Sequence, residues 1–578
     1  MQTAQSAPEN KTTSDNGLLN LAIILLLLVT FIPYLWGASL ANGRWYSWLG
    51  YNLDDSCVYL SWMRQAADGH FFLRHMFSTS PDASRSHQFN LLFWTLGAIA
   101  GQLHLPLIFV LHAARFIFGF IFLRTLFWFI SLCISDRRTR WAAFGITALS
   151  AGLGWVPGLW HHSGINSPVD VWQPEAITLL SLYLSPLFIV ALTLMLGILG
   201  CLLKAEREQR LEPALLAGFL ALLLGNIHSY DAITLGSIWI TYLIIGTILR
   251  RPTVGFAWLQ ALLAAAIGLP SVVYEYLQFK NDPLFHNRAE VATLSPQIQL
   301  YLLGYGLVLL LAIAGWWELS HRSLIREERL PDRLATHLLI VWAVVGLMVP
   351  YLPFSFQRKL LMGEHIPLSI LAGIAITPRL SRLPGHFKTI GWVAVLAILS
   401  LTNWRFMRRD MQNDVINLSQ TMQQRPYMNA GEYAALRWIR LHTPANAAIQ
   451  PLPWIYLSSD GRVAPIDMTL ACFAPEITDH SVYCGHWGET PDYTKKLGLL
   501  VHFMLSQTSN SQRIRFLKAM RVQYLIFSQV HPAVYKYDIL TMDDLQDFLR
   551  SIKPLVRLVY SNSDAQIYQV KVSKSSPH

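Results

Sequence analysis

Apolar residues fill long, almost unbroken runs up to about position 404, and beyond it they alternate with polar ones on a much shorter scale. Residues 17–37 (GLLNLAIILLLLVTFIPYLWG) form the first run. About 20 apolar residues in helical form span a hydrocarbon layer of ~30 Å, so this run predicts a transmembrane helix. No small-residue cleavage site follows it and residues 1–16 lack a basic start, so it reads as an uncleaved span rather than a secretory signal. Further runs lie near 105–135, 141–160, 177–203, 212–226, 230–249, 254–274, 298–318, 335–352, 365–378 and 388–404. Together these predict about eleven spans. A run at 88–104 is shorter and carries Gly97, Gly101 and His104, which suits a re-entrant, interfacial or split helix.

The polar turns between runs differ in charge. Arg137/Arg138/Arg140, Lys204/Arg207/Arg210, Arg250/Arg251, Arg322/Arg326/Arg329/Arg333 and Arg379/Arg382/Lys388 carry fifteen cations, whereas the alternating turns 161–176, 226–231, 275–297 and 353–364 carry four. Cations are retained on the cytoplasmic side of a multi-pass chain. The expectation is a cytoplasmic N-terminus in a plasma or inner membrane, with the cation-poor turns outside. Arg405, Arg408 and Arg409 run against this scheme, following the last span on its outer side.

Two segments outside the membrane result: a first outer loop, 38–87, and a C-terminal domain, 405–578. In the loop, SCVYLSWMRQAADG reads as a helix with Val58, Trp62 and Ala66 on one face, stopped by Gly69 and lying along the interface with its aromatics in the headgroup layer. In the C-terminal part, 432–441 and 542–552 have helical periodicity and 447–452 and 522–528 read as strands. Residues 555–560 and 565–570 flank Ser-Asn-Ser-Asp as a hairpin. The fold class is a polytopic α-helical membrane protein, residues 1–404, with a C-terminal extracytoplasmic α/β domain. The tail 571–578 reads as disordered.

Composition agrees and narrows the field. Of 578 residues, 53% are apolar and 14% charged, against roughly a quarter charged in soluble proteins, so a wholly soluble or disordered chain is excluded. The net charge of +10 is spread over the turns without an aromatic-laced basic stripe, so nucleic acid is not a partner. The five cysteines have no metal-like spacing, and Cys472 with Cys484 form a disulfide if their domain faces an oxidising compartment. No phosphate-binding loop, dinucleotide fingerprint, zinc-protease helix or serine-hydrolase elbow occurs.

Chemistry must therefore come from polar groups at the membrane surface. Tyr51-Asn-Leu-Asp54-Asp55 puts two adjacent carboxylates about fifteen residues past the first span. One is enough to cap a helix, and a second suits a general base or a cation site. The turn His161 to Glu175 holds Asp170 and Glu175 without a cation; it is either a polar cap or a site with Glu175 at a helix mouth. Gly225-Asn-Ile-His228-Ser-Tyr230-Asp231 interrupts two apolar runs as a tight hairpin or a cavity-lining break. The segment 354–367 brings Arg358, Lys359, Glu364 and His365; its two cations either snorkel to headgroups or bind a phosphate, for which arginine's forked donors are matched. The outer loop 274–288 is a polar, aromatic connection or a lid. Gly485-His486-Trp487-Gly-Glu489-Thr490-Pro is a packed turn or a sugar- or acceptor-facing loop.

A single span, a long outer loop opening on an acidic motif, about ten further spans and an outer C-terminal domain resemble the GT-C superfamily of polytopic glycosyltransferases. The protein O-mannosyltransferases, lipid A aminoarabinose transferases and oligosaccharyltransferase catalytic subunits belong to it. The residues carrying the resemblance are Tyr51-Asn-Leu-Asp54-Asp55 and Tyr59-Leu-Ser-Trp62. The resemblance implies a sugar transferred from a polyprenyl-phosphate donor in the bilayer to a glycan, lipid or protein acceptor. Asp54 or Asp55 is then the base or part of a divalent-cation (Mg or Mn) site, and Arg358 a phosphate ligand. Tyr51, Glu175, His228, Lys359 and His365 complete the expected substrate-binding set. The Arg358 segment and 485–491 match no motif of a named member, which leaves open a transporter or flippase for lipid-linked saccharides, or a non-catalytic envelope scaffold.

Overall fold

The computed structural model describes residues 9–156, 158, 164–325, 333–418, 424–457, 463–505, 508–530 and 542–571. The His161-His162 pair, Arg326, Arg329 and the tail 572–578 lie outside the described residues. Among the described residues, nine helices are long and apolar enough to cross a membrane: Asp15–Ser39, Leu107–Cys133, Pro186–Glu208, Tyr230–Ile248, Val254–Asn281, Ile298–His321, Arg333–Tyr351, Gln357–Ser381 and Gly385–Ile416. Two shorter apolar helices, Leu91–Gln102 and Glu212–Ile227, accompany them.

The difference from eleven has local causes. The run at 141–160 is helical only over Arg137–Leu149, where Asp136 caps the start by accepting from the Thr139 N–H at 2.8 Å. Past Leu149 the chain is irregular, which inside a bilayer requires every backbone group to find a partner within the protein. Ala151 N–H donates to Leu399 O at 2.7 Å, and Leu153 N–H to Leu303 O at 2.9 Å. The N–H groups of Gly152 and Gly154 both donate to the buried Asp170 carboxylate at 3.0 Å. Gly152 is required by space: a Cβ there would lie 2.2 Å from the Gly304 carbonyl oxygen. The run at 212–226 forms the 16-residue helix Glu212–Ile227, shorter than the nine spans, while 177–203 keeps its span as Pro186–Glu208, capped by Ser185.

The helix predicted in the first loop spans Leu53–Ala67 and stops before Gly69, whose φ is +94°. Its Val58, Trp62 and Ala66 face is buried in protein instead of lying in the headgroups. Tyr59 stacks on Phe93 with centroids 4.5 Å apart, and Trp62 meets the same ring edge-on at 5.7 Å. Leu91–Gln102 lies close against this helix because Gly97 and Gly101 carry no Cβ; one at Gly97 would come within 2.3 Å of Met63 O. The last apolar helix continues to Ile416. On it, Asp410 accepts from Tyr183 Oη at 2.8 Å and from the Tyr51 N–H at 3.0 Å. Two of the three cations there that run against the charge rule have structural partners: Arg405 donates to Gly154 O at 2.8 Å and Arg409 to Val171 O at 2.6 Å.

The C-terminal part contains a five-stranded mixed sheet in the order Ser481–Val482, Ala448–Pro451, Tyr524–Ser528, Ala565–Val570, Val556–Ser561. Its first three strands are parallel and its last two form the predicted hairpin. Ala430–His442 begins with a capping box between Asn429 and Glu432. Buried Arg425 lies between Glu432 and Asp467, 2.7 Å from each. This part is fastened to the first loop by Trp45–Tyr46 pairing antiparallel with Tyr427–Met428 and by the Val482 N–H donating to Met76 O at 2.8 Å. Arg64 Nε also donates to Glu476 O at 2.9 Å. The disulfide expected between Cys472 and Cys484 is absent; both are free thiols. They belong to separate hydrophobic cores, Cys472 to the one shared with the Leu53–Ala67 helix and Cys484 to the one under the sheet.

Candidate active site

One cleft opens where the first loop, the helix ends and the C-terminal part meet, with about 160 Å³ of water-accessible space. Asp55, Glu175, His228, Arg358 and Lys359 all line it, though they come from four separate stretches of sequence. His486, Trp487 and Glu489 close it from the C-terminal side. Leu187, Phe188, Ile227 and Phe279 form an apolar flank.

The two aspartates have different surroundings. Asn52 holds the N-cap position of Leu53–Ala67, so neither acid caps that helix. Asp54 is buried and accepts from the Trp487 indole N–H at 3.0 Å. Burial, reinforced by the Asp55 charge, raises its pKa above the ordinary carboxylate value against the opposing His486 and Trp487. Asp55 faces the cleft; its Oδ2 accepts from Asn52 Nδ2 at 3.2 Å and its Oδ1 lies 3.4 Å from His486 Nε2. Burial opposes its ionisation, but His486, Lys359 and Arg358 outweigh that and hold its pKa below the usual value. The pair therefore carries its stable charge on Asp55.

His486 is set by its own turn. Its Nδ1 accepts from the Gly488 and Glu489 N–H groups at 3.0 and 3.1 Å, which places the ring proton on Nε2, the nitrogen nearest Asp55. Thr490 Oγ1 accepts from the N–H groups of Gly485 and His486, and the Thr490 N–H returns to His486 O at 2.9 Å.

Across the cleft, Lys359 Nζ lies over the Tyr230 ring at 4.5 Å and Arg358 over Trp172 at 5.3 Å. Their backbone is fixed by the Arg358 N–H donating to Thr293 O at 3.1 Å and by Gln173 Nε2 donating to Arg358 O at 2.7 Å. Glu175 lines the cleft with these cations and His228; burial raises its pKa, with Arg358 and His228 opposing. His228 Nδ1 is 2.9 Å from Asp231. Asn226 donates to Phe89 O at 2.9 Å and accepts from the Leu91 N–H at 2.8 Å, so the 225–231 break is tied to the entry of the Leu91–Gln102 helix.

Two expected residues lie elsewhere. Tyr51 packs edge-on against Phe406, behind the cleft. His365 is buried in the bundle, with Ser150 Oγ 3.0 Å from Nε2 and Thr178 Oγ1 2.9 Å from Nδ1. A divalent ion at the aspartate pair is not matched by this donor set. Asp54 is turned to an indole and Asp55 to an amide and an imidazole, and among the described residues no group of three or more His, Cys, Asp or Glu could hold a metal.

This fold, a helical bundle crowned by an acidic loop helix and a small α/β part, is similar to that of solved membrane glycosyltransferases. Among solved structures, the chain is similar to the Archaeoglobus fulgidus oligosaccharyltransferase in complex with Zn and sulfate. The TM-score is 0.52 at 12% identity, over 94% of this chain and 73% of that one. The archaeal oligosaccharyltransferase AglB of the same organism, in complex with an inhibitory peptide and a dolichol-phosphate, gives 0.50 at 13% identity over 88% and 69%. Mycobacterial arabinofuranosyltransferase AftD gives 0.56 at 13% identity, covering 98% of this chain and 40% of the larger enzyme. No protein-family model matches the sequence, and no curated protein matches it either. At these identities the likeness is one of fold.

Proposed function

We propose that the protein transfers a sugar from a polyprenyl-phosphate donor to an acceptor hydroxyl, with Asp55 as general base and Arg358 and Lys359 as the phosphate clamp. The observation that carries this reading is the placement of one charge-bearing carboxylate and two adjacent cations in a single cleft with an apolar flank. The dolichol-phosphate bound by AglB, on the same fold, supports a lipid phosphate as donor.

In the reaction, Asp55 accepts the acceptor's hydroxyl proton as its oxygen attacks the anomeric carbon. The bond from that carbon to the phosphate oxygen breaks, the configuration inverts, and the lipid phosphate leaves with the electron pair. Fixed cations beside the departing oxygen stabilise charge where it develops. Asp54 holds the C-terminal turn, and His486 keeps Asp55 ionised and oriented. The prenyl tail runs along Leu187, Phe188, Ile227 and Phe279. Loop charge places the N-terminus in the cytoplasm, and the cleft with residues 405–578 outside.

The test is sugar transfer by the full chain in lipid, using radiolabelled polyprenyl-phosphate sugars and candidate acceptors. Asp55→Asn is expected to lower the rate by ~10²–10⁴. Transfer that survives Asp55→Asn removes the base assignment. Labelled lipid crossing vesicles without turnover makes the protein a transporter instead.

A further inference from the structure

A second hollow of about 440 Å³ lies immediately outside the cleft and shares Val291, Trp487, Gly488 and Glu489 with it. Its remaining wall is the segment Thr490 to Lys495, and Leu284 is its apolar floor. The volume falls within the ~300–1,000 Å³ of ligand pockets. From this groove and its continuity with Asp55 we infer that the acceptor is a neutral saccharide, held along Trp487–Lys495 with its reacting hydroxyl in the cleft. This rests on the transferase reading given above.

Three features select the ligand. First, the groove presents the Trp487 indole and Tyr493 phenol beside the Glu489 and Asp492 carboxylates and the Thr494 hydroxyl. Rings supply flat apolar faces for a pyranose or furanose, and carboxylates accept from neighbouring hydroxyls. Second, two carboxylates against Lys495 disfavour a phosphorylated or uronic-acid glycan. Third, an extended peptide docks on a sheet edge through free backbone groups. Here the groove-lining N–H groups of Gly488, Glu489 and Thr490 are consumed inside the turn, and Pro491 has none. A lipid acceptor would need a longer apolar surface than Leu284 and Val291 give.

The same bonds make the groove wall rigid. Trp487 is fixed by Asp54, and His486 gathers the turn beneath it. An acceptor seated there meets a pre-formed surface, so little ordering cost opposes binding.

The experiment is calorimetric titration of the full chain in nanodiscs, with and without undecaprenyl phosphate. The probes are neutral arabinan, mannan and galactan oligosaccharides, a polygalacturonate oligosaccharide and a Ser/Thr-containing peptide. At least one neutral oligosaccharide is expected to bind, and Asp492→Asn, which lies outside the cleft, to weaken it several-fold while undecaprenyl phosphate binding holds. Binding of the peptide or the anionic glycan in preference, no neutral binding at all, or neutral binding indifferent to Asp492→Asn overturns the assignment. Failure of wild-type protein to bind undecaprenyl phosphate would sink the transferase reading instead.

Discussion

The indole N–H of Trp487 donates to Asp54 Oδ2 at 3.0 Å, joining the first loop to a turn 433 residues further along the chain. The neighbouring Asp55 makes no such structural bond to that indole and looks into the cleft. Two adjacent acids thus divide the work, one fastening the wall and the other facing the space where substrate would sit.

Trp487→Phe keeps the ring and removes the donor, leaving a buried carboxylate oxygen unpaired. A loss of ~1–3 kcal/mol is expected, read as a lower thermal midpoint in detergent. Asp54→Asn retains an acceptor oxygen and is expected to melt near wild type. Equal midpoints for Trp487→Phe and wild type would show that the bond contributes nothing.

Arg358→Ala and Lys359→Ala each remove a cation facing the cleft. Hydrogen bonds to charged groups contribute ~1.5–3 kcal/mol, so about ten- to a hundred-fold weaker binding of undecaprenyl phosphate is expected for each. Unchanged binding in the double variant places the phosphate elsewhere.

The acid limb of the pH–rate profile reports ionisation of the base. His486 and the two cations depress the pKa of Asp55, so in the wild type this limb lies below the ordinary carboxylate range. His486→Gln removes the largest of the lowering influences, the pKa rises, and the limb moves to higher pH. A limb that stays in place while the rate falls would assign His486 a purely steric role.

Glu476 is buried with one carboxylate oxygen unpaired, and burial, opposed by Arg64, pushes its pKa up to about 7 from an ordinary 4.5. Between those values the folded chain holds a proton that the unfolded chain releases. This stabilisation is complete below about 4.5 and is lost as pH rises through about 7. Glu476→Gln is therefore expected to raise the thermal midpoint more at pH 8 than at pH 5; equal gains would mean the charge does not matter.

The bundle was legible because lipid imposes a simple rule: the run 230–249 meets it almost residue for residue, and 254–274 starts where its helix starts, which then continues to Asn281. The rule fails at 141–160, where apolar composition hides an irregular backbone sustained by Asp170, a partner that hydropathy does not register. Asp55, Glu175, His228, Arg358 and Lys359 stood out as polar groups at one end of the bundle. His365 had the same signature, yet its nitrogens are satisfied by Ser150 and Thr178, and no spacing distinguishes the two cases. The role of His486 beside Asp55 was hidden for a different reason. The closure of the first loop on the C-terminal part, through Trp45–Tyr46 on Tyr427–Met428, Met76 on Val482 and Arg64 on Glu476, brings these distant residues within reach, and a single sequence holds no record of that pairing.

His486 follows the last membrane helix in the chain, whereas Asp55 follows the first. Every membrane helix, and Arg358 with them, therefore precedes this imidazole in the chain. A product truncated before Gly485 holds the membrane half without the turn that lies against Asp55, 3.4 Å from it through His486.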